Sequence, residues 1–338
     1  LITSATLEAM LEARASLMDP AVVVLGFTPD NPGNYGRLFL GEDGVLDSII
    51  EARDATNEQL KIGLCNSGVM AIDGKVMWSL LDRVGNNNTK GEYYLTDIVK
   101  LARNDGRACV AIEGDEDELI GINSRIQLAE AEAILQDRLR FQAMENGASL
   151  TDPTTVFLSQ DTKLGKDVLI GPNVFFGPGV SVGDGAVINA FCHIEGTEIL
   201  SKASIGPFAR LRPGTKISEA AKVGNFVEVK NALLEPEAKV SHLSYIGDAE
   251  IGEGANIGAG TITCNYDGYL KSQTIIGKGA FVGSNTALVA PVTIGEGAIV
   301  GAGSTITKDV NANALSVTRA PQKSVDCWAK KYRELKPQ

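Results

Sequence analysis

His193 and His242 are the only histidines in the chain, and a base that works near neutral pH is most easily an imidazole. His193 falls at the last position of a regular six-residue repeat, where a surface or corner side chain is expected. His242 lies in a stretch that breaks the repeat, flanked by Ser241 and by Ser244-Tyr245, and is the candidate general base. Near it is a set of charges able to hold an anionic sugar. Arg210 and Arg212 sit in Ala-Arg-Leu-Arg-Pro-Gly, and Lys230 follows Gly224-Asn-Phe-Val-Glu-Val. Arginine offers a fork of donors to a phosphate and lysine a point charge. Glu228 precedes Lys230 by two residues, so strand alternation could point it the same way, to orient or charge-stabilise a histidine.

These residues need a scaffold, and the second half of the chain has a period of six. Aliphatic or Phe residues recur at Ile170, Phe176, Val182, Ile188, Ile194 and Leu200, then one residue out of phase at Ile205, Leu211, Ile217, Val223 and Val229. The pattern returns at Ile251 and Ile257, and again at Ile276, Val282, Leu288, Ile294, Val300 and Ile306. One inward aliphatic per hexad fits short strands joined by tight turns, three hexads to a triangular coil, with stacked coils burying one aliphatic column. A sandwich would alternate at period two instead. Three hexads separate Arg212 from Lys230, which sets them on one face of successive coils. Glycine and asparagine are expected at the corners. Two stretches break the period: 233–245, with His242, and 263–274, with Asn-Tyr-Asp-Gly. Both are expected as loops, where binding and catalysis concentrate on a rigid scaffold.

Composition narrows the function classes. A formal net charge of −11 argues against a nucleic-acid partner, which needs a basic face. Cys65, Cys109, Cys192, Cys264 and Cys327 show no paired spacing, so neither a disulfide framework nor a zinc site is expected, and a reducing cytoplasm is. Two histidines are also too few for a metal held by three imidazoles. No apolar stretch is long enough to span a bilayer.

Residues 1–122 read as a mixed α/β domain. A helix is expected over Leu7 to Ala15, a buried strand at Ala21-Val-Val-Val-Leu-Gly, a turn at Gly33-Asn-Tyr-Gly-Arg, and strands around Leu38 and Ile49. Ser124-Arg-Ile-Gln is a capping box that opens a linker helix within 123–150, with Leu128, Ala131, Leu135 and Leu139 on one face. The solenoid is expected over 151–310 and a non-repetitive tail with a short amphipathic helix over 311–338.

Four solenoid segments resemble one family: Ile205-Gly-Pro-Phe-Ala-Arg-Leu-Arg-Pro-Gly, Val223-Gly-Asn-Phe-Val-Glu-Val-Lys, His242-Leu-Ser-Tyr-Ile-Gly-Asp and Asn256-Ile-Gly-Ala-Gly-Thr-Ile-Thr-Cys-Asn-Tyr-Asp-Gly. They are similar to the bacterial bifunctional N-acetylglucosamine-1-phosphate uridylyltransferases/glucosamine-1-phosphate N-acetyltransferases. The resemblance covers nearly the whole chain and implies a left-handed parallel β-helix that acetylates glucosamine 1-phosphate with acetyl-CoA. It implies Arg212, Lys230, Tyr245 and Asn256 on the sugar phosphate, with His242 as general base. Ala259, Asn265, Tyr266, Ser284, Ala302 and Arg319 are implied around acetyl-CoA, in a homotrimer whose sites lie between subunits.

In the first half Gly33-Asn-Tyr-Gly-Arg, Ile50-Glu-Ala-Arg-Asp-Ala-Thr, Cys65-Asn-Ser-Gly, Gly91-Glu-Tyr-Tyr-Leu-Thr-Asp and Gly121-Ile-Asn-Ser-Arg resemble the uridylyltransferase domain, a Rossmann-like α/β fold. Carried over, Gly36, Glu51, Asn66 and Asn123 contact UDP-N-acetylglucosamine, and Asn123 is one magnesium ligand. The family's opening Gly-x-Gly-Thr-x-Met loop, its phosphate-binding lysine and its acidic magnesium ligand are not among these residues. The first domain is therefore expected to be a truncated remnant, and these 338 residues to acetylate without transferring UMP. The alternative reading is a sugar nucleotidyltransferase whose β-helix only oligomerises, and a third is a purely structural solenoid.

Overall fold

A computed structural model describes residues 1–42 and 44–335. It divides into two compact units, Leu1–Leu135 and Gln136–Gln338, with the division inside a long helix.

The first unit is built on a five-stranded sheet. Its elements are α1 (Ser4–Arg14), β1 (Val22–Phe27), β2 (Arg37–Leu40), β3 (Leu46–Ile50), β4 (Cys65–Ile72), α2 (Met77–Leu81), α3 (Asp97–Asn104), β5 (Cys109–Glu113), α4 (Glu116–Leu119) and the first half of α5 (Arg125–Glu145). The strand order is β3-β2-β4-β1-β5. Only β1 and β5 pair in parallel; the other neighbours run antiparallel. Central β1 is buried along its whole length, which is why Ala21-Val-Val-Val-Leu-Gly reads as an unbroken apolar run.

The second unit is a left-handed parallel β-helix, and every strand pair along it is parallel among the described residues. The inward column matches the hexad reading with one shift: Ile199 is buried and Leu200 is not, so the phase slips one hexad earlier. Phe176 lies inside the column with 1% of its surface exposed. Phe176→Ala is expected to cost about 3–5 kcal/mol, read as a lower denaturant midpoint for the solenoid.

One expectation is overturned here. The stretch 233–245 is not an inserted loop. Leu234, Val240 and Ile246 continue the buried column, and Lys239–His242 is a strand paired in parallel with Lys222–Asn225. The steps from Val229 to Leu234 and from Ile246 to Ile251 are each one residue short of a hexad, which made an intact coil look like a gap. Glycine and asparagine take left-handed φ at many corners, among them Asn173, Gly179, Gly185 and Asn231, as expected, but Phe191, Phe208, Phe226 and Leu243 take it as well. The three rings stack at centroid distances of 4.8 and 5.0 Å, and this contact offsets part of the backbone cost. The glycine that follows many inward residues has a second use, close coil stacking. A Cβ on Gly171 or Gly183 would lie 2.7 Å from a backbone nitrogen of the next coil.

The stretch 263–274 is a true excursion between the strands Ile262–Cys264 and Thr274–Ile276. Thr263 replaces the aliphatic residue at its base. Its buried hydroxyl donates to the Gly247 carbonyl at 3.0 Å and accepts from the Gly247 amide at 2.7 Å, so this hydroxyl is satisfied. The coil stack closes at Leu315–Ser316, beyond the expected end at residue 310. In α5, Leu128 is 54% exposed, and the buried residues include Gln136 and Arg140. The rest of the expected face holds, with Ala131 buried, Leu135 half-buried and Leu139 packed on the solenoid core, and polar anchoring adds to it. Gln136 bonds both backbone groups of Leu158, at 2.8 and 2.9 Å, and Arg140 donates to the Val156 carbonyl at 2.7 Å, capping the open edge of the first coil. A short helix, α6 (Trp328–Glu334), ends the described tail.

Candidate functional site

His242 ends the strand Lys239–His242 and precedes the corner made by Leu243 and Ser244. Its side chain is exposed. The ring Nδ1 lies 2.5 Å from Asn225 Oδ1, on the strand directly beside it. Ser244 is buried and donates to the His242 carbonyl at 2.8 Å, which ties the corner to the residue it follows. Past the corner, Tyr245 starts a new strand in register with Glu228.

Arg212 and Lys230 do stand in register, because Leu211 pairs with Val229. Glu228 meets Arg212 rather than a histidine, with Nη1 to Oε1 at 2.9 Å. The partner of His242 is Asn225, a residue that charge-based reading passes over. Next to Lys230 the structure adds Lys271, the only basic residue of the 263–274 excursion. The Lys271 ammonium is held below its usual range, first by the closeness of the Lys230 amine group and then by its charge. Asp248, which feels the charge of both, accepts from Asn231 Nδ2 at 2.7 Å and from Asn265 Nδ2. Burial raises the Asp248 carboxyl, but those two amides and the charges of Lys230 and Lys271 together hold it below the ordinary range. Two mutually repelling cations beside a committed carboxylate form a site that an anion stabilises.

Of the residues implied around acetyl-CoA, Ala259, Ser284 and Ala302 form a ladder. Lys239 pairs with Asn256, Asn256 with Phe281, and Phe281 with Ile299. The same register carries His242 to Ala259, Ser284 and Ala302 on successive coils. Backbone bonds tie the rungs: Asn285 N to Ala259 O at 2.7 Å and Gly303 N to Ser284 O at 2.8 Å. Arg319 Nη1 donates to the Ala302 carbonyl. Asn265 is buried and Tyr266 exposed at the start of the excursion. Asn256 sits on the strand face of this ladder, not on that of Arg212 and Lys230. His193 pairs with Glu195 at 2.5 Å and stacks on Phe175; its strand lies on the face of Arg210 and Glu228, one coil before Arg210. Burial pushes the Cys109 and Cys192 thiols up to about 11, so neither is a thiolate nucleophile at neutral pH.

In the first unit a cavity of about 600 Å3 is lined by residues that include Tyr35, Glu51, Arg53, Lys90, Tyr94 and Asn123. The Asn66 amide donates to the Gly36 carbonyl at 2.8 Å, and Glu51 accepts from Thr96 Oγ1 at 3.1 Å. Arg53 and Lys90 were not foreseen; each is an isolated cation in sequence. Asn123 offers a magnesium ion one neutral oxygen. No group of three or more His, Cys, Asp or Glu able to hold a metal occurs among the described residues, so these residues alone do not make the expected magnesium site. No described helix is long and apolar enough to cross a membrane.

A family model described as bacterial transferase hexapeptide (six repeats) matches residues 161–196 and 273–308. The protein named bifunctional protein GlmU in Paramagnetospirillum magneticum is 61% identical over 333 residues, 98% of this chain and 74% of that protein. The like-named proteins of Rhodospirillum rubrum and Zymomonas mobilis are 63% and 51% identical, covering 98% and 99% of this chain and 74% and 75% of their own lengths.

Proposed function

The chain belongs to the family of bifunctional GlmU proteins, and from that membership we propose that its solenoid transfers the acetyl group of acetyl-CoA to the amine of glucosamine 1-phosphate, a step of UDP-N-acetylglucosamine synthesis. The observation that carries this reading is the corner at Leu243 and Ser244. It has an imidazole on one side and the cation row of Arg212 and Lys230 in register on the other.

The chemistry follows from those groups. A free ring nitrogen of His242 takes a proton from the sugar amine as its nitrogen attacks the thioester carbonyl carbon. The C–N bond forms, the tetrahedral adduct collapses, the C–S bond breaks, and the proton on His242 passes to the departing sulfur. Arg212 and Lys230 hold the phosphate, with Tyr245 beside them, and Glu228 keeps the Arg212 fork aimed. The ladder of Ala259, Ser284 and Ala302, with Asn265, Tyr266 and Arg319, takes acetyl-CoA as cosubstrate. The assembly is a homotrimer with sites between subunits, and Asn256 is assigned to the sugar phosphate in it. In the first unit we assign the cavity with Glu51 and Asn123, and the adjoining Gly36 and Asn66, to a sugar nucleotide. An oligomerising solenoid without catalysis leaves His242, Asn225 and the cation row without work.

The test is thiol release from acetyl-CoA with glucosamine 1-phosphate and, separately, with glucosamine. Release is expected with the first and close to none with the second; no release with either sinks the reading. Arg212→Ala is expected to raise the KM for glucosamine 1-phosphate by about tenfold or more, in keeping with the loss of one charge-assisted bond. The KM for acetyl-CoA should change much less, and equal losses in both would point to packing instead.

A further inference from the structure

One ring nitrogen of His242 is occupied in the protein itself, by Asn225 Oδ1 at 2.5 Å from Nδ1. The two residues are directly opposed in parallel strands, and the Leu243 amide donates to the Asn225 carbonyl at 3.0 Å. Backbone on both sides therefore holds the pair in place. An amide oxygen can only accept, so Nδ1 carries the proton and a neutral ring keeps its lone pair on Nε2. Besides His242, the ionisable side chains on the three adjoining strands, Lys222–Asn225, Lys239–His242 and Asn256–Ile257, are Lys222 and Lys239, which oppose one another. Neither can accept the Nδ1 proton while charged.

We propose that Asn225 is a positioning residue for acetyl transfer, fixing the His242 tautomer and ring plane so that Nε2 is the base. The inference rests on His242 being that base. A neutral partner suits the task, because a carboxylate in its place would favour the protonated ring, which cannot accept a proton.

The test uses the full chain with acetyl-CoA and glucosamine 1-phosphate. Asn225→Ala is expected to lower kcat about 10- to 100-fold, the scale of a misoriented catalytic group, with both KM values within about twofold. In a His242→Ala background the same change should add nothing, since a residue acting through His242 has nothing left to act on. Asn225→Asp keeps the acceptor and should retain most turnover at high pH, with the acidic limb of the kcat/KM profile raised by about one pH unit. Wild-type turnover in Asn225→Ala, losses that multiply in the double variant, or an unmoved acidic limb in Asn225→Asp would each overturn the inference. Should Asn225→Ala fold poorly, the aspartate profile decides alone. If His242→Ala itself turns over normally, the base assignment fails, a different result from any of these.

Discussion

His242→Ala is expected to slow thiol release from acetyl-CoA by about two to four powers of ten, the span usual for removing a general base, while the unfolding midpoint stays nearly fixed. The two parts of this expectation have separate causes. The imidazole is exposed and its side-chain partner is the half-buried Asn225, so truncation removes little buried apolar surface and opens no cavity in the column. The buried contacts of that strand are made by Val240, which the substitution leaves alone. On the chemical side, an amine that is still protonated has no lone pair for the thioester carbon, and no other histidine belongs to this corner. Turnover within a few-fold of the parent at neutral pH would remove His242 from the catalytic role.

Gly224→Ala is expected to damage both stability and activity. Gly224 lies on the strand that carries Asn225, against the strand that carries His242. A Cβ there would fall 2.7 Å from the Ser241 carbonyl carbon and closer still to its oxygen. Backbone cannot swing aside as a side-chain tip can, so the two strands must separate. Overpacking of this kind costs about 1–3 kcal/mol or more. A shift near 1 Å at His242 costs about a further 100-fold in rate. A lower denaturant midpoint together with a depressed kcat is the expected pair of results. An unaffected midpoint would mean that the coils at this corner do not approach as closely as described.

What was legible in the sequence, and what was not, follows from the period. The inward aliphatics recur every six residues because each coil must refill the same column, so Ile170 through Ile306 announce a solenoid without knowledge of any contact. The excursion at 263–274 was legible for the same reason, as was the stacking of Arg212 on Lys230, since three hexads return the chain to one face. The first-unit strands at Ala21, Leu38 and Ile49 showed through their apolar runs and the turn residues between them.

Other features depend on which residues meet across coils, and small slips accumulate there. The short steps at Leu234 and Ile251 made an unbroken coil look like an insertion, so the strand and corner that hold His242 emerged only from the pairing of Lys239–His242 with Lys222–Asn225. Glu228 was expected near a histidine because alternation specifies a face but not a neighbour; one coil away, the guanidinium of Arg212 took it. Lys271 joined Lys230 through the folding of an excursion that has no period to read. Asn225 carries no charge, and although it lies in a family-like segment it acquired a role only when the fold set its amide oxygen against the Nδ1 of His242. Residue types and a repeat length determined the scaffold and its candidate chemistry. Tertiary structure decided the partners, because hydrogen bonds and ion pairs form between atoms a few ångströms apart, and only closed coils bring residues this distant in sequence to that range.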